Sequence, residues 1–272
     1  MLLKRLIIKA LGIIYYFRYS LNYNEKYYET EQDKKFEKYD LDRKAGLTKL
    51  NELKNQFKFL NKPMSSEHQV LFSSLSLNKK INFKRILEIG TFDGSNAFLL
   101  SKLFPSARII TLDLEDNNEK FRQTYNRETD EKLKNFCKER NEILKQRDNI
   151  SFLQKDSIQL ISSNEKFDLI WIDGAHGYPV VTIDIINSLR LCDNEGFIMC
   201  DDIYTNKIYN ADDMYISGAS YETLSVLKDL DFINFELFFK RLTKEYNSIP
   251  TKRQFVGLIK KNYKNFISNG NR

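Results

Sequence analysis

Five apolar runs punctuate the middle of the chain, at residues 85–89, 107–114, 149–153, 167–172 and 196–202. Most are near-continuous rather than alternating, the pattern of a strand covered on both faces, and each has an acidic residue near or just beyond its end: Glu88, Asp113, Asp156, Asp173 and the pair Asp201-Asp202. Between them lie stretches with helical spacing of apolar positions, from Ala97 onward, over residues 180–191 and over residues 221–230. Two further apolar runs, 235–239 and 254–259, close the pattern. Strands alternating with helices predict an α/β domain: a doubly wound, mostly parallel seven-stranded sheet.

The flanks read differently. Residues 1–20 form a predicted amphipathic helix in which Lys9 interrupts the apolar run, leaving only residues 10–17 uncharged. That is far short of the roughly 20 residues that span a bilayer, so an interfacial helix or one packed on a partner is expected. No small-residue cleavage site follows, which argues against a removed secretory signal. Residues 21–64 are rich in charge and tyrosine, with Leu47, Leu50, Leu53, Phe57 and Leu60 at helical spacing, and predict a helical extension ahead of the domain at 65–262. Within that domain, 115–148 is a charged helical insertion with Phe136, Cys137, Ile143 and Leu144 facing inward, and 203–218 is a tyrosine-bearing loop suited to covering a substrate. Residues 263–272 are a tail.

Composition narrows the partners. The chain has 272 residues and a formal charge of +6, spread without the dense basic block that tracks along nucleic acid, so no nucleic acid partner is expected. Cys137, Cys192 and Cys200 are odd in number and lack paired metal spacing, which fits a reducing, cytoplasmic setting. Residues 1–18 offer a peripheral contact at the inner membrane face or a homodimer contact.

The chemistry concentrates at the ends of the predicted strands. The segment Arg85-Ile86-Leu87-Glu88-Ile89-Gly90-Thr91-Phe92-Asp93-Gly94-Ser95-Asn96 reads as strand, glycine loop and helix start, with free N–H groups of the helix aimed at the crevice. The spacing Glu88-x-Gly90-x-x-x-Gly94 differs from the Gly-x-Gly-x-x-Gly that takes a pyrophosphate, so a polar ligand without phosphate is expected. Asp113 lies about twenty residues beyond the loop, where such folds place the acid that accepts ribose hydroxyls. Asp156, with Ser157 after it, is suited to cap a helix. In a parallel sheet Asp173, Asp201 and Asp202 should converge with Glu88 and Asp113 on one rim, and their mutual repulsion calls for a cation. Oxygen-only ligands point to Mg²⁺. His176, beside these acids, is a candidate base or substrate-positioning group, whereas His68 reads as a structural or solvated histidine.

The glycine segment resembles motif I of the class I S-adenosylmethionine-dependent methyltransferases, where the acid and glycines surround the methionine part of the cofactor. That resemblance implies a Rossmann-like fold with an antiparallel final strand. It implies a cofactor site at Glu88, Gly90, Thr91, Gly94, Ser95, Asp113, Asp156, Ser157 and Asp173, with Asp156 and Ser157 at the adenine. The blocks Asp173-Gly174-Ala175-His176 and Asp201-Asp202 resemble the metal-dependent O-methyltransferases, especially the bacterial subfamily with an Asp-Gly-x-His segment. There Asp173, Asp201 and Asp202 match the metal ligands, and His176 with Asp173 the catalytic groups near the acceptor hydroxyl. The catechol enzymes carry Asp-Asn where this chain has Asp201-Asp202. The expected function is Mg²⁺-assisted methyl transfer to a hydroxyl of a small molecule or sugar. The rivals are a non-catalytic cofactor-binding module, an NAD-dependent oxidoreductase, and methyl transfer without a metal.

Overall fold

The computed structural model describes residues 20–62, 66–125, 127–206, 212–247 and 253–262, together with Ile13, Ile14, Phe17, Arg18 and Ile249. The expectations for the membrane-contact segment fall mostly outside these residues, and those for the tail at 263–272 entirely so. Among the described residues no helix is long and apolar enough to cross a membrane.

The apolar runs become β1 (Arg85–Ile89), β2 (Arg108–Asp113), β3 (Ile150–Gln154), β4 (Phe167–Ile172) and β5 (Cys192–Ile203), followed by β6 (Ile233–Phe239) and β7 (Phe255–Lys261). The sheet order is β3-β2-β1-β4-β5-β7-β6. β1 to β5 pair in parallel, and β7 runs antiparallel to both β5 and β6. This is the expected Rossmann-like methyltransferase sheet, with its one reversed strand inserted between β5 and β6. The strand order turns back on itself between β1 and β4, so the crevice of an open α/β sheet lies at their carboxyl ends.

Successive side chains on each central strand alternate between two cores. Ile86, Leu169, Trp171 and Met199 face one, while Leu87, Ile170, Ile172 and Ile198 face the other. The second core is covered by α7 (Val180–Leu191) and α8 (Ala219–Asp229). The first is covered by the helices that precede and follow β1: α1 (Glu25–Glu37), α2 (Arg43–Gln56), α3 (Glu67–Leu77) and α4 (Ser95–Leu103). Asn24 and Asp42 cap α1 and α2 by accepting from backbone N–H groups of the first turn. The insertion holds a short α5 (Glu119–Arg122) and the amphipathic α6 (Asp130–Leu144); α9 (Lys244–Asn247) is a single turn.

The extension is not an appendage. Phe36, Leu50, Leu53 and Leu60 are buried with Phe72, Phe98 and Phe238 in one core. The Gln32 side-chain amide pairs with the backbone of Phe239 in both directions, at 3.1 and 2.9 Å. Lys35 reaches Glu236 and the Leu237 carbonyl. The Arg43 guanidinium, 9% exposed, grips both oxygens of Glu67 at 2.7 and 2.9 Å and also reaches Asp33. Glu67 in turn donates its backbone N–H to the Lys240 carbonyl at 2.9 Å, so three helices and the end of β6 are tied together.

Candidate active site

Gly90 leaves β1 with φ of 101°, a left-handed conformation costly for any residue with a Cβ. A Cβ there would stand 2.1 Å from the Asp173 carbonyl oxygen, and one on Gly94 (φ 78°) would stand 3.0 Å from Leu144 of α6. The glycines thus bring the ends of β1 and β4, and the insertion, against the loop; the space expected for a ligand's approach is filled by protein at both positions. Phe92 between them has φ of 47°, a left-handed turn held by its N–H donating to Asp113 at 2.9 Å.

Several loop side chains expected at the cofactor turn inward. Glu88 is fully buried and accepts from Asn96 at 2.7 Å and Thr111 at 2.5 Å; burial pushes its carboxyl up to about 8. Thr91 bonds the Thr111 hydroxyl at 2.6 Å. Ser95, the first residue of α4, donates its backbone N–H and its hydroxyl back to Asp93 of the loop. Glu88, Thr91 and Ser95 therefore brace the loop, which is left to meet a ligand with backbone. Asp113 stays at the rim, raised by burial while the N–H groups of Phe92 and Leu114 hold its oxygens. Beyond it an open pocket of ≈ 350 Å³ is lined by Glu115, Asp116, Asn117 and Gln154. Asp156 caps the 3-10 turn Ser157–Ser162, accepting from Ile158, and Ser157 faces the buried Asp184.

The insertion supplies residues that the apolar pattern had missed. Arg127, 4% exposed, lays its guanidinium 3.8 Å over Phe121 and 4.8 Å over Phe136. Arg140, 1% exposed, bonds both oxygens of Asp116 and sits 4.4 Å over Phe152. Tyr125 stacks edge-on between Phe92 and Tyr215, linking insertion and post-β5 loop above the site. Tyr209 of that loop lies outside the described residues.

At the far side, Asp201 and Asp202 end β5. Consecutive strand residues point to opposite faces, so two neighbours do not ordinarily meet one partner. Here the β5–β7 register shifts between Cys200 and Ile203, and Asp202 takes φ of 49°. Both carboxylates consequently reach one ammonium: Lys240 Nζ is 2.7 Å from Asp201 Oδ2 and 2.6 Å from Asp202 Oδ1. Lys240 directly follows β6 and is 5% exposed. Burial alone would raise the Asp201 carboxyl, and the Lys240 charge more than reverses this, holding it down at about 2. Asp173, about one-third exposed, is pushed well up by desolvation and then by repulsion from Asp201.

His176 sits under the cluster, 6% exposed, its Nε2 3.7 Å from Asp173 and 3.6 Å from Asp202. Burial lowers its pKa, so the imidazole is neutral near pH 7, and its Nδ1 is buried without a partner. Its backbone N–H donates to Met214 of the post-β5 loop. His68 is structural: it bonds the Ser66 hydroxyl and stacks 4.7 Å from Trp171.

The expected divalent ion does not fit this arrangement. One oxygen each of Asp201 and Asp202 is taken by an ammonium, and among the described residues no three acidic, histidine or cysteine side chains converge closely enough to hold one ion. The repulsion that called for a cation is real, and Lys240, 39 residues from Asp201 in sequence, meets it.

Residues 87–203, from β1 through β5, match a family described as a methyltransferase domain. The fold is that of a methyltransferase domain. The glycine loop, Asp113, Asp173, His176 and the Asp201-Asp202 pair all fall inside the matched segment, whereas Lys240 and the helical extension lie outside. The fold is similar to that of the O-methyltransferase TomG from Streptomyces achromogenes, involved in tomaymycin synthesis and solved in complex with SAM (TM-score 0.51, 15% identity, 84% of this chain and 95% of that one). It is also similar to cofactor-bound Rv0187 from MTB (TM-score 0.50, 16% identity, 80% and 88%). At such identities the likeness is one of fold. No curated protein sequence matches the chain.

Proposed function

We propose that the chain is an S-adenosylmethionine-dependent methyltransferase acting on a hydroxyl of a small molecule or sugar. The observation that carries this reading is the neutral, buried His176 between Asp173 and Asp202, at the same rim as the Gly90–Gly94 loop and Asp113. S-adenosylmethionine, when bound, supplies an electrophilic methyl that leaves in a single in-line displacement, so the protein must position and deprotonate rather than form covalent bonds.

The residues divide that work. The Asp113 carboxylate at the end of β2 stands ready to accept from ribose hydroxyls, and Asp156 with Ser157 borders the base. The loop backbone from Gly90 to Gly94 and the Asp173 carboxylate flank the methionine part, and an acid there suits a ligand that carries an ammonium and a sulfonium. His176 takes the acceptor's proton at Nε2, where the Asp202 carboxylate 3.6 Å away stabilises the imidazolium that results. Tyr125 and Tyr215, rings 5.8 Å apart, roof the acceptor side and limit water.

Calorimetric titration of the full chain with S-adenosylmethionine, with NAD⁺ as control, tests the reading. Micromolar binding that Asp113→Ala weakens by about tenfold or more is expected, as for loss of a charged hydrogen-bond acceptor. Heat with NAD⁺ and none with S-adenosylmethionine would refute it.

A further inference from the structure

We propose that Lys240 is the resident cation of this site: its ammonium stands where the carboxylate pattern calls for a divalent ion, and the site works without one. The role in turnover rests on the methyltransferase reading; the cation site itself does not.

Four observations converge. Nζ lies within 2.7 Å of both Asp201 and Asp202. Mg²⁺ binds carboxylate oxygens at about 2.1 Å, so an ion held by those same two oxygens would occupy the ammonium's own space. The oxygens left over do not replace them. Asp201 Oδ1 is buried without a partner and Asp202 Oδ2 faces His176 at 3.6 Å. Expelling the ammonium would strand a buried charge, the costly outcome for an ion pair this enclosed.

The remaining two observations concern how the lysine is held. The bulge and the left-handed Asp202 aim two successive carboxylates at one point, a strained arrangement that their shared lysine explains. The lysine's own backbone is fixed from both sides, by its N–H to the Gln254 carbonyl beside β7 and by its carbonyl to the Glu67 N–H of α3. Glu67 is clamped by Arg43, and Gln32 of α1 pairs with Phe239 immediately before the lysine. The extension thereby acquires a job: it sets the end of β6 so that Nζ falls between the acids. Lys240 is a positioning residue, holding the Asp202 carboxylate oriented beside His176.

The experiment is a Mn²⁺ titration of the full chain followed by electron paramagnetic resonance, with S-adenosylmethionine calorimetry in parallel. The wild-type chain is expected to show no saturable Mn²⁺ binding at millimolar concentrations, and a chelator should leave cofactor affinity unchanged. Lys240→Gln removes the charge at similar size and frees both carboxylates; it should bind Mn²⁺ at least about tenfold more tightly, and Asp202→Asn added to it should abolish the gain. A merely structural lysine would produce no such gain. Saturable wild-type binding that Asp202→Asn removes would overturn the proposal, as would a folded Lys240→Gln variant that gains nothing. Should that variant not fold, wild type against Asp202→Asn decides alone. Failure of S-adenosylmethionine to bind would count against the methyltransferase reading and leave the Mn²⁺ comparison intact.

Discussion

Asp184 allows a sharp stability test. It lies on α7, fully buried beneath Gly174, with Ser157 facing it and no hydrogen bond of ordinary geometry to either oxygen. Burial pushes its carboxyl from 3.8 up to about 7, and the nearby Asp156 adds to the rise. A raised acid holds its proton in the folded chain after the unfolded chain has lost it, so stability falls as pH climbs between the two values and levels off above the higher one. At about 1.36 kcal/mol per unit, the penalty is about 2 kcal/mol at pH 5 and about 4 kcal/mol at pH 8, a loss of about 2–3 kcal/mol across that interval. Asp184→Asn removes the titration and keeps the size. Urea unfolding of both chains at pH 5 and pH 8 is the assay, since groups titrating in common cancel in the difference. The variant should gain on wild type by about 2–3 kcal/mol between the two pH values. Parallel pH profiles would refute the argument and mean that solvent reaches the carboxylate.

Two further outcomes are expected. His176→Ala should lower methyl transfer by about 10²–10⁴-fold, the usual contribution of a general base, while calorimetry finds S-adenosylmethionine affinity within about twofold of wild type; an equal loss in both would make His176 a structural residue. Glu67→Ala leaves the Arg43 guanidinium, 9% exposed, without its bidentate partner and should cost about 3–5 kcal/mol in chemical denaturation; a change under about 1 kcal/mol would show that the clamp between extension and domain is idle.

The sheet was legible because strands covered on both faces leave uninterrupted apolar runs, and the runs at 107–114 and 167–172 fall within one residue of the observed strands Arg108–Asp113 and Phe167–Ile172 at each end. The rim acids were legible for a related reason: a charge at the end of such a run has only the rim to go to. Side-chain direction was less so. Glu88 and Thr91 sit in the expected loop, yet Thr111 on the neighbouring strand draws both inward, and that contact depends on parallel register rather than on local spacing. Lys240 was hidden more deeply. It follows an apolar strand like many solvated lysines, and only the β6–β7 and β5–β7 pairings bring it to Asp201. The inference from crowded carboxylates to a cation was sound, but charge counting identifies neither an ion nor a side chain.

The pairing of Gln32 with Phe239 joins positions 207 residues apart. On the ribosome, at about 5–20 residues per second, α1 therefore waits roughly 10–40 s for its strand. During that interval the glycine loop, β1 to β5 and their acids can assemble as a nascent sheet, while Phe36 and its neighbours have no Phe238 to cover them. Contacts of such long range are among the last to form, so the cleft acquires its cation at the end of synthesis rather than with the core. A chain cut short before β6 would carry the glycine loop and two adjacent, mutually repelling aspartates without their lysine, which makes completion of the polypeptide a checkpoint for the site.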